Sequence, residues 1–566
     1  MCYNKSGNAL RYILKTQAER GGNLQMEKKY LGVMLDCSRN AVMNIAELKR
    51  FILILEKMGY NCLQLYTEDT YEIEGEPLFG YRRGRYSKAE LKEIDSFAAE
   101  HGIELMPCIQ TLAHLNQIFR YPVYEDIHDA QDVLLAEEEK TYALIEKMFQ
   151  TCAECFTSRN IHIGMDEAHG LGRGKYYDKH GDVKRFDILL NHLNRVVRIA
   201  EKYGFKPMMW SDMFFRIAGG GEYYHKQAIP QEVLDKVPEN IQPVYWDYYN
   251  MDESLVECMI EHHLDFGRNV WIAGGAWKWW GFQSDNAKSI RQTKCLIGAA
   301  TKHGVKDILI TMWGDNGGEC SPYAVLPSLM YAAECARGND DVQNAKEKFA
   351  EIVGENWDDF MLCDFPYPKN IGGKDYMFGV KQMVYSDYFL STFDCGVLGT
   401  GIERKIYADL AEKLNTAAKN TKNYGYMFES YAALCDVLAV KYDLGYRTRF
   451  AYRKGDKKML AALLPEYDET LCRLEKFTRA YEEMWMKENK PHGFDVQDIR
   501  LGGIMQRTKS CARRLKDYIE GKTERIEELE EKTLDFTTGG EPDPEKYGVN
   551  GAGFNIYSVI ATANVL

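Results

Sequence analysis

No stretch of this 566-residue chain is apolar for long enough to cross a bilayer, which takes about 20 consecutive apolar residues. The opening residues, Met1 to Gly22, lack the apolar centre of a signal peptide. Positive charge is not in excess either: 71 Lys and Arg stand against 84 Asp and Glu, a net charge of −13. That balance argues against a nucleic-acid partner and does not favour an anionic membrane surface. The 15 Cys are scattered rather than grouped as metal ligands. Without an export signal they read as reduced core thiols, and a cytoplasmic location is expected. Internal repeats and low-complexity segments are missing, and no metal or cofactor is expected. The rest is ordinary globular composition, 45% hydrophobic and 27% charged, with 12% aromatics that include 37 Tyr and 9 Trp.

A short helical pattern, Asn8–Arg20, stops at Gly21-Gly22. Then strands and helices alternate. The strand patterns are Tyr30–Asp36, Asn61–Tyr66, Glu104–Ile109, Ile161–Met165, Pro207–Trp210, Gln242–Trp246, Val270–Ala273 and Asp307–Trp313. Helices are predicted at Ile45–Met58, with Asn44 as N-cap, and at Ser87–Glu100, Glu137–Thr157 and Asp187–Tyr203. Alternation implies a parallel sheet, and eight strands over this length imply an α/β fold of the (β/α)8 TIM-barrel type. An open doubly wound sheet is the runner-up, but no Gly-rich phosphate loop follows the first strand. From Asp341 long helical patterns take over: Asp341–Val353, Gly401–Tyr424, Met427–Arg449, Lys457–Lys487 and Ile504–Lys532. The expected division is 1–26 as an N-terminal helix and linker, 27–340 as the barrel, and 341–566 as an all-α C-terminal domain. Gly493–Gly503 is its main non-helical interruption.

The fourth strand ends in adjacent carboxylates, Asp166 and Glu167. Strand neighbours point to opposite faces, so the two can share a site only where the strand ends and the backbone turns. The carboxyl end of a parallel strand is where barrel enzymes keep their catalytic groups. A carboxyl that ionises readily beside one that keeps its proton makes an acid/base pair. For any single Asp-Glu, a turn former or helix cap is the alternative, so the other strand ends must decide. They carry Asp36, Ser38 and Arg39; Tyr66, Glu68, Asp69 and Tyr71; Gln110 and His114; Trp210 and Asp212; Trp246, Asp247 and Tyr249; Trp277, Trp279 and Trp280; and Trp313, Asp315 and Glu319. Aromatic faces stack on sugar CH groups, and carboxylates bond hydroxyls. This rim predicts a carbohydrate site.

Ile161-His162-Ile163-Gly164-Met165-Asp166-Glu167 resembles the His-x-Gly-x-Asp-Glu signature of glycoside hydrolase family 20, the β-N-acetylhexosaminidases. Tyr245–Tyr249 and Met312–Asp315 are similar to later motifs of that family. Met34–Val42, Cys108–His114 and Gly274–Trp279 resemble a bacterial branch of it without secretion signals. The resemblance covers Tyr30 to about Glu334, and more loosely the helical part. It implies an exo-acting, retaining hydrolase that releases terminal non-reducing β-linked N-acetylglucosamine or N-acetylgalactosamine. In that mechanism the substrate's own 2-acetamido oxygen attacks the anomeric carbon, giving an oxazolinium intermediate. By the same resemblance Glu167 is the acid/base and Asp166 orients the acetamido N–H. Tyr249 donates to the acetamido oxygen with Asp247 beside it. Trp210, Trp246 and Trp277 wall the methyl pocket and Trp313 lies under the ring. Glu68 or Asp69 joins His114 in a relay to the acid.

Two positions depart from the family. Leu31 stands where Arg commonly precedes the Gly of the first strand, which leaves Arg39 as the candidate for the 3- and 4-hydroxyls. Asp315 stands where Glu is usual, and its side chain is shorter by about 1.5 Å. Glu319 is therefore expected to share the contact to the 4- and 6-hydroxyls, and the gluco or galacto preference stays open. The family usually carries a small α/β domain before the barrel, of which Asn8–Arg20 resembles the last helix. Two rival readings are a metal-assisted barrel with Asp36, Asp166, Glu167 and Asp212 as ligands, and a non-catalytic amino-sugar-binding barrel. Gly493–Gly503 is either a plain connection or a wall on the aglycone side, in its own barrel or across a homodimer.

Overall fold

The apolar runs pair as parallel strands, each with its sequence neighbours, and the first with the last. They are β1 (Tyr30–Asp36), β2 (Cys62–Tyr66), β3 (Glu104–Cys108), β4 (Asn160–His162), β5 (Lys206–Trp210), β6 (Gln242–Trp246), β7 (Trp271–Gly275) and β8 (Asp307–Met312). The computed structural model describes residues 29–365, 380–390, 397, 399–534 and 540. The Asn8–Arg20 pattern lies outside the described residues, as does the tail from Phe536 apart from residue 540. β4 is shorter than its apolar run because Gly164 and Met165 leave strand conformation, at φ 71° and 73°.

Helices cover the outside of the barrel and side chains fill its interior, so the strands are buried on both faces. Every residue of β2, β7 and β8 is buried. The helix Ile45–Met58 shows how the outer layer is specified. Asn44 caps it, accepting from the Glu47 N–H at 3.0 Å, and Gly59 ends it in the left-handed region. Leu48, Phe51, Ile52, Leu55 and Met58 form its buried face. Each contributes about 1.5–3 kcal/mol of burial.

After β8 the chain becomes helical, with Ile402–Asn420, Gly425–Lys441, Leu444–Arg453, Lys457–Glu488 and Phe494–Ile519 as the principal helices. The Met427–Arg449 pattern is thus two helices. Gly493–Gly503 is not a loop but the first turns of the last one. Gly502 and Gly503 each cost a helix about 1 kcal/mol. That cost is overridden because Phe494, Gln497, Leu501, Ile504, Thr508, Cys511 and Leu515 bury one face at helical spacing.

The helical region is tied back to the loop after β1. Met43 and Asn489 form an antiparallel bridge. Asn40 Nδ2 donates to Gly493 O at 2.6 Å, and Asn44 Nδ2 to Lys487 O at 2.7 Å. Among the described residues no helix is long and apolar enough to cross a membrane.

Candidate active site

The segment after β4 turns sharply. Gly164, Met165 and Glu167 have φ of 71°, 73° and 48°, and this brings neighbouring carboxylates to one side. A Cβ on Gly164 would lie 2.0 Å from Gln110 Oε1, so glycine is required there. Gln110 holds the turn: its Oε1 accepts from Met165 N at 3.2 Å, and its Nε2 donates to Asp166 Oδ1 at 2.8 Å and to Tyr66 Oη at 2.9 Å. Asp166 Oδ2 lies 3.2 Å from His114 Nε2. Burial alone would raise the Asp166 carboxyl, but the charge and hydrogen bond of His114 and the bond from Gln110 hold it well below the carboxylate range. Burial likewise opposes a charged His114, and Asp166 overrides it and pushes the imidazole up.

Glu167 is the more open of the two, its side chain 40% exposed against 10% for Asp166. Its N–H donates to Asp212 Oδ2 at 3.1 Å, and its Oε1 lies 3.3 Å from Arg216 Nη2. Arg216 Nε also bonds Asp212 Oδ2 at 3.0 Å. Burial, followed by the charges of Asp166 and Glu167, pushes the Asp212 carboxyl up against the pull of Arg216.

The two carboxylates face a cavity of about 80 Å³ walled by Trp210, Trp246, Trp279 and Trp313, with Tyr248 and Tyr249 on the β6 side. Trp313 Nε1 donates to Tyr248 Oη at 3.0 Å, which fixes both rings. Arg39 and Asp315 close the opposite side, 3.4 Å apart. Arg39 is also bonded to Asp36 at 2.9 Å and to Glu68 at 3.1 Å, and lies 5.1 Å from the Trp313 ring centre.

Several expectations are corrected. Trp277 does not line the cavity; it stacks behind Trp279 at 4.0 Å, and Trp279 takes the wall position. Asp247 is fully buried and serves its own turn, accepting from the N–H groups of Tyr249 and Asn250 at 3.0 Å and from Tyr245 Oη at 2.6 Å. Among the described residues no hydrogen bond joins Glu68 or Asp69 to His114, although Glu68 and His114 line the same cavity. Glu68 is bonded to Tyr66 Oη at 3.0 Å, and Asp69 to Arg83 at 2.9 Å. The carboxylate behind His114 is Asp132, which accepts its backbone N–H at 3.1 Å and stands 3.8 Å from its Nδ1. Glu319 is buried away from the cavity, between Lys381 and Arg500. The four proposed metal ligands do not converge, since Asp36 is taken up by Ser38, Arg39 and the Gly314 N–H.

The sequence does not single out Tyr248, Asp132 or Arg216, and it offers Gln110 and Trp279 only as members of the strand-end set. Arg216 had a signal: it is four residues after Asp212, one helical turn away. The sequence places Trp277 and Trp279 at the same strand end, and the choice between them needs the backbone. Asp132 had no signal, lying 18 residues from its partner in irregular chain.

Fold and site together define an eight-stranded parallel barrel with paired carboxylates in an aromatic pocket at the strand ends. The family model described as "Glycosyl hydrolase family 20, catalytic domain" matches residues 29–251, and that for the "Glycoside Hydrolase 20C C-terminal domain" matches 369–548. The chain belongs to glycoside hydrolase family 20 and is a glycoside hydrolase. It is similar to hexosaminidase D of Bos taurus, 22% identical over 347 residues that cover 56% of this chain and 94% of that protein. The Homo sapiens hexosaminidase D is 24% identical over 221 residues, covering 37% of this chain and 43% of its own. Among solved structures, the Flavobacterium johnsoniae chitobiase has a TM-score of 0.45 at 15% identity, over 89% of this chain and 74% of that one.

Proposed function

We propose that the protein is an exo-acting β-N-acetylhexosaminidase. It releases terminal non-reducing β-linked N-acetylglucosamine or N-acetylgalactosamine with retention, through an oxazolinium formed by the substrate's own acetamido group. We assign the catalytic barrel to residues 27–340 and the helical domain to 341–566. The observation that carries the reading is the Asp166–Glu167 pair, one carboxyl buried and bonded, the other open to the cavity.

In this reading Glu167 protonates the leaving oxygen and then deprotonates water. Asp166, kept ionised by His114 and Gln110, receives the acetamido N–H and stabilises the positive charge that develops on the ring it forms. The acetamido methyl sits among Trp210, Trp246 and Trp279. Trp313 lies under the pyranose, and Arg39 and Asp315 take its hydroxyls. Tyr249 is the donor to the acetamido oxygen expected from the sequence, but it is 47% exposed. Tyr248 is buried in the same wall with its hydroxyl already oriented by Trp313. We assign the donor role to Tyr248 and place Tyr249 at the rim.

Chromogenic β-GlcNAc and β-GalNAc compared with the plain β-glucoside test the reading. The glucoside, which lacks the internal nucleophile, should be hydrolysed far more slowly. Comparable rates would overturn substrate assistance and call for an enzymic nucleophile. A thiazoline analogue of the intermediate should inhibit strongly.

A further inference from the structure

The turn after β8 carries Asp315 to the cavity and presents its carbonyls on the other side. It closes on itself, with Gly318 N–H donating to Gly314 O at 2.8 Å. Three successive residues, Asn316, Gly317 and Gly318, have φ of 62°, 134° and 63°. Glycine takes such backbone freely; Asn316, which carries a side chain, is the residue whose left-handed conformation its surroundings must hold.

Those surroundings belong to the helical region. Arg500 Nη1 donates to Asn316 O at 2.5 Å, Lys381 Nζ to the same oxygen at 2.8 Å, and Gln497 Nε2 to Gly317 O at 3.0 Å. Glu319, at the end of the turn, anchors both cations: its Oε1 accepts from Lys381 at 2.6 Å and from Arg500 at 2.7 Å. All three charged side chains are at most 2% exposed. A Cβ at Gly317 would sit 2.4 Å from Arg500 Nη1, so the turn and the guanidinium are fitted to each other. Burying three charges is costly, and no step of the proposed reaction uses them. Their evident product is the placement of Asp315, whose ion-pair partner on the barrel side is Arg39.

We propose that Glu319, Arg500 and Lys381 are positioning residues for sugar recognition: through them the helical region holds Asp315 against the cavity and sets which hydroxyl arrangement the site accepts. This rests on reading the cavity as the seat of a terminal amino sugar.

The test uses the full chain with Arg500→Met, Asp315→Ala and the double variant. kcat and KM are measured on chromogenic β-GlcNAc and β-GalNAc, and hydrogen exchange over residues 313–319. Arg500→Met should raise KM about ten-fold or more, with a smaller change in kcat, because displacing a binding group by about 1 Å is that damaging. It should also shift the GlcNAc to GalNAc ratio and speed exchange in the turn. The double variant should bind no worse than the poorer single, since both remove one contact. Arg500→Lys should restore most of the loss, because only Nη1 has partners; Nε and Nη2 have none among the described residues. If Arg500→Met fails to fold, Gln497→Leu removes only the bond to Gly317 O and should shift KM in the same direction. Unchanged KM and ratio with a lower melting temperature would overturn the proposal, as would additive losses in the double variant. A parent enzyme that hydrolyses neither sugar sinks the functional reading and the recognition role with it. Faster exchange without a kinetic change sinks the recognition role alone.

Discussion

Two turns at the carboxyl end of the barrel, Gly164–Glu167 and Gly314–Glu319, solve one problem in different ways. Both hold residues in left-handed backbone and both aim a carboxylate at the cavity. The first is fastened from inside the barrel, by Gln110 on the loop after β3 and by Asp212 after β5. The second is fastened from inside only at its first residue, where Asp36 accepts the Gly314 N–H, and beyond that from outside, by Arg500, Gln497 and Lys381 of the helical region. The turn assigned to the chemistry is therefore held by barrel residues, while the turn assigned to hydroxyl recognition is held by the barrel and by the helical region together. Such an arrangement lets specificity change without disturbing the reaction.

The strongest way to break the first turn's role is to remove its chemistry. Glu167→Gln should lose about 10²–10⁴-fold in turnover on substrates with poor leaving groups, and less on activated ones. Equal loss on both classes would mean that Glu167 is not the acid. Removing the fastening comes next. Gln110→Ala leaves the Met165 N–H and one Asp166 oxygen without their partner, and kcat should fall roughly 10–100-fold. A change in KM alone would assign Gln110 to binding and weaken the contrast between the turns.

The paired tryptophans sharpen the same contrast on the wall. Trp279→Ala should act mainly on KM. Trp277→Ala should act mainly on stability, by roughly 3–5 kcal/mol for a buried aromatic. A reversed pattern would return Trp277 to the cavity.

The smallest effect is one of pH, and here the two regions differ in sign. His114 in the barrel has its folded pKa raised by Asp166 against the cost of burial, so its stabilisation is complete below about pH 6.5 and is lost as pH rises through the folded value. Lys441 in the helical region is pushed down to about 7 by burial, with Asp387 pulling the other way. Between about pH 7 and 10.4 the unfolded chain binds more protons than the folded one at Lys441, so stability rises with pH there, by at most ~1.4 kcal/mol per unit. Denaturant melts of the parent and of Lys441→Met across that window measure this contribution. A slope that the substitution leaves intact would exclude Lys441 as its source.

Much of the barrel was readable in the sequence because burial on both faces turns each strand into an unbroken apolar run. β1 and the helix Ile45–Met58 coincide with their patterns. Asp166, Glu167, Arg39, Trp313 and Asp315 line one cavity, and each stands at a strand end, a position that a sequence can locate. What failed depended on direction or distance. Glu319 sits four residues beyond Asp315 yet faces the other side of the turn, toward cations 62 and 181 positions away. Gly493–Gly503 reads as a loop because the glycines at 493, 502 and 503 disfavour a helix by propensity, whereas Phe494, Gln497 and Leu501 are buried at helical spacing. Asp247 and Asp69 were placed in the site because a carboxylate at a strand end does not reveal whether its own loop will occupy it.

The bond from Asn40 to Gly493 spans 453 positions of sequence. A ribosome adding about 5–20 residues per second needs roughly 25–90 s to travel that far. For that interval the loop carrying Arg39 is translated while its fastening to Gly493 is not yet made. On the roles proposed above, the turn assigned to acid/base chemistry is translated well before Gln497 and Arg500, which fasten the turn assigned to recognition.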